Sequence, residues 1–275
     1  MNDIRRSVVV GIDGSRSAEL AAGWAAVDGR GRNLPVHLVF ALGGVAPVLP
    51  GAYPMQCYYE GIDSNARERL DAAADVVRAA APDIPITTAV TNQPPALALV
   101  DLSEQADEVV LGQGDFSGFP EMLLGSVATS VSARARSPVV VVRGDPDATG
   151  PVVVGVDGGA AADVALAAAF ERASRTGLPL VAAHAVEERH RTSGGAGGAG
   201  EHVAEWRRRH PEVDLHWVEE RGDPREVLLA QARRASVVVV GSRGRGGFRG
   251  LLLGSTSQAL LHHAACPVMV VRART

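Results

Sequence analysis

The strongest constraint on this chain is that it is written twice. SVVVGID at residues 7–13 returns as PVVVGVD at 151–157. EVVLG at 108–112 returns as VVVVG at 237–241, and SPVVVVR at 137–143 returns as CPVMVVR at 266–272. Asp13 and Asp157 lie 144 residues apart, Gly112 and Gly241 only 129, so the second copy is 15 residues shorter in between, a loss assigned to the loop after its second strand. Each copy reads as five short apolar strands alternating with helices, which is the pattern of a doubly wound α/β domain. The expected fold is two tandem Rossmann-like domains, 1–145 and 151–275, each a five-stranded sheet flanked by helices, with the hydrophilic stretch 144–150 as linker.

In the first copy, strands are expected at 7–13, 35–41, 84–91, 108–112 and 138–143, and helices at 18–27, 66–81, 95–105 and 126–136. A loop rich in Gly, Pro and Tyr, from 42 to about 63, is expected to carry Tyr53, Cys57, Tyr58 and Tyr59. In the second copy Gly195–Gly200 fits Gly-x-Gly-x-x-Gly, but it does not follow a strand directly and consists of glycine and alanine alone. It reads as flexible linker rather than as a NAD site.

Composition narrows the function. Hydrophobic residues make up 46% of the chain and aromatics 4%, so the core must be valine, alanine and leucine, as suits parallel sheets under small-residue helices. A net charge of −4 argues against nucleic acid or an anionic membrane as main partner. No apolar run approaches bilayer length, and the start enters a strand without a signal-peptide region, so a cytoplasmic protein is expected. Two cysteines, Cys57 and Cys266, and eight histidines without ligand spacing predict neither a disulfide framework nor a side-chain metal site. Every basic residue is arginine. Without lysine, a Walker-type loop or a kinase-type ATP site in standard form is excluded.

The stretch GSRGRGGFRGLLLGSTS, 241–257, follows four valines and precedes the helix-like QALLHHAA. A strand, a glycine-rich turn and a helix start together make a phosphate cradle. Glycines let the backbone approach, and the free N–H groups of the first helical turn face the anion with the macrodipole behind them. Ser255, Thr256 and Ser257 add hydroxyls at the cap, and Arg243, Arg245 and Arg249 add charge. In an open parallel sheet, ligands sit beyond the carboxyl ends of the strands where strand order reverses. If strands one and four of the second copy adjoin there, Asp157 and the Gly241 loop share a crevice. The carboxylate suits ribose hydroxyls or a metal-bound water, and the loop suits phosphates. A nucleotide is predicted on these grounds.

At these residues the sequence resembles the universal stress protein family. Gly241-x-x-Gly244, nine residues, then Gly254-Ser255 is similar to that family's ATP-binding signature, and Gly155–Gly158 and CPVMVVR also match its pattern. The resemblance covers almost the whole chain as a tandem two-domain member. It implies a five-stranded parallel sheet in each domain, ATP binding often without appreciable turnover, and association through the last strand; an intramolecular pseudo-dimer of the two domains and a homodimer are expected. Carried over by position, adenine and ribose contacts fall on Val156, Asp157, Ala185 and Val240. Phosphate contacts fall on Gly241, Gly244, Gly254, Ser255, Thr256 and Ser257, with Arg243 added for its charge in the loop and any Mg held mainly by the phosphates. Gly159 departs from the serine common after the Asp-Gly pair.

The corresponding first-copy positions are Ile12, Asp13, Ala41, Gly112, Gly125, Ser126 and Val127. There Asp115 replaces the second glycine, Ala128 replaces Ser257, and no arginine occurs from 112 to 125. A carboxylate about 4 Å from a phosphate charge costs roughly 4 kcal/mol at an effective dielectric near 20, before screening. The first site is therefore expected to be weakened or lost, unless Gly114 lets the loop shift. The leading expectation is a non-catalytic, ATP-binding regulator in stress response. An ATP- or adenylate-cleaving enzyme lacks a catalytic lysine and an evident base–nucleophile pair. A scaffold that binds a protein partner through the Tyr53–Tyr59 loop is the third reading.

Overall fold

Valine-rich segments at matching places in the two copies form the strands. The structure, a computed structural model, describes residues 4–43, 55–114, 124–186, 195–244 and 252–272, the side chains of 55–62, 160 and 195–197 excepted. The first copy runs β1 (Val8–Ile12), α1 (Arg16–Arg32), β2 (Val36–Ala41), α2 (Met55–Ala80), β3 (Ile86–Thr91), α3 (Pro95–Leu102), β4 (Glu108–Gly112), α4 (Ser126–Arg134) and β5 (Val139–Val142). The second runs β6 (Val152–Gly155), α5 (Ala160–Thr176), β7 (Leu180–Val186), α6 (Gly195–Arg209), β8 (Leu215–Arg221), α7 (Pro224–Ala232), β9 (Val237–Gly241), α8 (Ser255–His263) and β10 (Val268–Val271).

The strands form one ten-stranded sheet in the order β3-β2-β1-β4-β5-β10-β9-β6-β7-β8. Pairing is parallel within each copy and antiparallel at the centre, where Met269 lies opposite Val140. The last strands thus satisfy each other's edges, and the association implied through them is made within the chain. Strand order reverses between β1 and β4 and between β6 and β9, the places where open α/β sheets leave a crevice. One face of the sheet packs a core under α1, α2, α5 and α6, the other under α3, α4, α7 and α8. Among the described residues no helix is long and apolar enough to cross a membrane.

Two expected loops are helical. Helix α2 starts at Met55, so residues 57–59 lie on a helix and not in a loop; Tyr53 lies outside the described residues. No proline interrupts 55–81, and the buried row Leu70, Ala73, Ala74 and Val77 anchors the segment. A lone Gly61, costing about 1 kcal/mol against alanine, does not stop it. Gly195–Gly200, expected as linker, belongs to α6. Ala199 and Val203, one turn apart, are buried in the core, so tertiary burial overrides weak glycine propensity there.

Helix α1 also runs past its expected end, to a left-handed Asn33 cap (φ 53°). This extension carries Asp28 and Arg32 to the joint between the copies. Asp28 Oδ1 accepts from Arg172 Nη1 and from Arg175 Nη2, both at 2.6 Å, and Arg172 lies over the Trp24 ring at 4.4 Å. Arg32 Nη1 reaches Asp28 Oδ2 at 3.5 Å and Glu108 Oε2 at 3.4 Å. Burial alone would raise the Asp28 pKa, but Arg172, Arg175 and Arg32 hold it below the ordinary value. Glu108 is pushed up to about 8, first by burial and then by the neighbouring Asp28 charge.

A pH dependence follows. The unfolded Glu108 ionises near 4.5, whereas the folded group keeps its proton to about 8. Its stabilising contribution is complete below the lower value and is lost as pH rises towards the upper one, at roughly 1.4 kcal/mol per pH unit. Glu108→Gln is expected to flatten the decline in urea midpoint between pH 5.5 and 8. An unchanged decline in the variant would place its origin elsewhere.

Candidate functional site: two crevices beyond the sheet

In the second domain the crevice is built from the ends of β6 and β9. The Val156 N–H donates to the Ala183 carbonyl at 2.9 Å, which holds the strand end in register, and the Val156 side chain packs in the core beneath α5. Asp157 follows. Its Oδ1 accepts from the Gly159 N–H at 2.9 Å, a turn that pins the carboxylate. The loop after β9 passes directly over it: a Cβ placed on Gly244 would lie 2.8 Å from Asp157 Oδ2. A side chain there would require the carboxylate or the loop to shift.

The two ends of the loop are tied together. The Ser242 N–H donates to the Val271 carbonyl at 2.7 Å, and the Gly254 N–H donates to the Ser242 carbonyl at 2.8 Å. Gly254 is the extended N-cap of α8 and supplies no side-chain acceptor, so the first-turn N–H groups are left for another partner. The cap of α1 differs: Ser15 accepts from the Ala18 N–H. Ser257 Oγ donates to the Gly241 carbonyl at 2.7 Å and is buried. Its hydroxyl therefore ties glycine loop to helix start. Ser255 and Arg243 are exposed, Thr256 and Ala185 half-buried, and Val240 buried in the core on the α8 side. Arg245 and Arg249 lie outside the described residues.

The first domain repeats the framework. Asp13 Oδ1 accepts from the Ser15 N–H at 2.9 Å, and the Gly125 N–H donates to the Gln113 carbonyl at 2.8 Å. Here a cavity of about 250 Å3 is formed, and Ile12, Asp13, Ala41, Gly112, Gly125, Ser126 and Val127 all line it. Ser15, Ser17, Pro95, Leu99 and Leu111, which the sequence did not single out, line it as well. The serines sit at the helix cap, where hydroxyls have a structural reason to be, so they carried no separate signal. Among the described residues no arginine lines the cavity. The loops part at one residue. Gly114 has φ +95°, while Arg243, at the matching position, does not enter the left-handed region. Asp115 and Glu121 lie outside the described residues.

Two further groups bear on the chemistry. Cys266 is buried, which pushes its thiol up to about 12 and leaves it unreactive. Among the described residues no group of three His, Cys, Asp or Glu is placed to hold a metal ion. Arg272, also missed in the sequence, donates to the Ala133 carbonyl at the end of α4 and to the Leu252 carbonyl, at 3.4 Å, just before Gly254.

The sequence and the fold both have close counterparts. A universal stress protein of Mycolicibacterium smegmatis is 36% identical over 287 residues, covering 97% of each chain. A universal stress protein of Mycobacterium tuberculosis is 34% identical over 292 residues, covering 98% of this chain and 97% of the relative. The crystal structure of a universal stress protein from Archaeoglobus fulgidus superposes with a TM-score of 0.76 at 23% identity, over 98% of this chain and 99% of the other, a likeness of fold. The universal stress protein family model matches residues 5–143 and again 149–272. With the repeat, both crevices and nearly full-length relatives in agreement, the chain belongs to the universal stress protein family, as a tandem two-domain member.

Proposed function

We propose that the second domain binds ATP and that the protein acts as a regulator whose occupancy, rather than turnover, is the signal. One observation carries this reading: the Gly244 backbone lies over the Asp157 carboxylate, beside a helix start that no side chain caps. That arrangement supplies a ribose acceptor and phosphate donors in one crevice. Val156, Ala185 and Val240 would enclose the base, and Gly241, Arg243, Gly254, Ser255 and Thr256 the phosphates. Mg would ride mainly on the phosphates. The first-domain cavity is formed, so its expected weakness for ATP rests on charge and not on shape.

Hydrolysis needs a positioned nucleophile and compensation of the leaving-group charge, and only arginines are available for the second. Titration calorimetry of the full chain is expected to find one tight ATP site, with phosphate release negligible over the same period. Two equal sites would refute the charge argument. Rapid turnover lost in Asp157→Ala would establish the enzyme reading instead.

A further inference from the structure

We propose that Arg136, a residue of the first domain, crosses the joint to complete an anion-binding face beside the second domain's glycine loop and helps hold the ligand's terminal phosphates. The inference rests on the reading of that loop as a phosphate site. The antiparallel pairing of Val139 with Val270 brings the segment before β5 beside the segment after β10. Arg136 is therefore a neighbour of Arg272, although 136 residues separate them in sequence. The Arg136 backbone is fixed there, its N–H donating to the buried Ser103 Oγ at 2.9 Å, while its side chain is exposed. Arg272 bonds to the carbonyl of Leu252, inside the stretch leading to Gly254. Arg243 follows directly on the link between Ser242 and Val271.

Three arginines are thus brought to one edge of the loop. Among the described residues none of the three forms an ion pair with a carboxylate. Burial, then Arg243 and Arg136, lower the pKa of Arg272, so the cluster repels itself. An anion placed among like charges relieves that repulsion as well as adding its own attraction.

The contrast with the first domain supports the assignment. By the repeat, Gly114, Arg143 and Ala265 stand where Arg243, Arg272 and Arg136 stand. Arg143 bonds to the Leu260 and Leu261 carbonyls at the end of α8 much as Arg272 bonds to the Ala133 carbonyl at the end of α4, so the two crevices differ in Arg136 and Arg243, which the first replaces with Ala265 and Gly114. The joint therefore brings an exposed arginine, Arg136, to the second domain's side, where the first has Ala265. It also explains how a first domain with a poorer phosphate loop contributes to binding.

The test is calorimetry on the full chain with ATP, adenosine and inorganic tripolyphosphate as probes. Arg136→Ala is expected to weaken ATP about tenfold, to leave adenosine within about twofold, and to lose most of its effect in high salt. Arg136→Lys should recover part of the loss. Arg134→Ala, on the same stretch but bonded to Ser130, controls for net charge and should change nothing. If ATP binds and Arg136→Ala leaves its affinity unchanged, the inference falls and the phosphate-loop reading stands. Equal losses for ATP and adenosine would also overturn it, because they mark a structural effect. If the wild-type chain fails to bind ATP, the phosphate-loop reading falls. Tripolyphosphate then decides the anion face: binding lost in Arg136→Ala supports it, and no binding overturns it.

Discussion

Gly244→Asp lowers the ATP affinity of the second domain by about a hundredfold or more, the largest effect expected of any single change to the site. Two causes add. A Cβ at this position lies 2.8 Å from Asp157 Oδ2, closer than side chains approach, so either the carboxylate leaves the place held by the Gly159 N–H or the loop shifts. The new carboxylate would then face the phosphates; in sequence, the first copy carries Asp115 at the matching position. Gly244→Ala isolates the steric part and should cost less. Residue 244 is exposed, so the unfolding midpoint should stay near that of wild type. Calorimetry reads both affinities, and unaltered ATP binding in a folded Gly244→Asp protein would remove the loop from the site.

Asp28→Ala is expected to destabilise the folded chain by about 3–5 kcal/mol, the cost of leaving buried charges without their partner. The Asp28 side chain is 1% exposed, and it answers Arg172 and Arg175 of the second domain together with Arg32 of its own helix. The spacing of 144 that relates Asp13 to Asp157 also relates Asp28 to Arg172. Equivalent helix positions therefore face each other across the joint with opposite charge. Two copies of one domain packed in this way would set like against like. Urea unfolding at pH 7 measures the effect, and a loss below about 1 kcal/mol would show the pairs to be no stronger than surface ones.

The fold was legible because its signals are local and repeated. Valine runs ending in Gly-x-Asp or in a glycine loop mark the strands, and β4 was placed to the residue. The elements misread were those where local propensity disagrees with burial. Four glycines among the six residues 195–200 weaken helix propensity, yet the segment is helical, with Ala199 on α6 fully buried in the core. Helix α1 passes Gly29 and Gly31 because its last turns hold the joint. The first-domain candidate residues, chosen by repeat and resemblance, all line one cavity, since the repeat preserves the ends of the same strands.

Sequence by itself determined the two-copy plan and the family, since spacing along the chain carries that information. It could not determine the joint. Asp28, Glu108, Arg136 and Arg272 look like ordinary surface or helix-end charges in sequence, and their partners lie in the other copy or far along the chain. Only the antiparallel pairing of β5 with β10 puts α1 against α5 and Arg136 beside Arg272. Tertiary structure also decided what Ser257 does. Sequence offers its hydroxyl as a phosphate donor, but burial requires a polar group to find a partner, and the nearest is the Gly241 carbonyl.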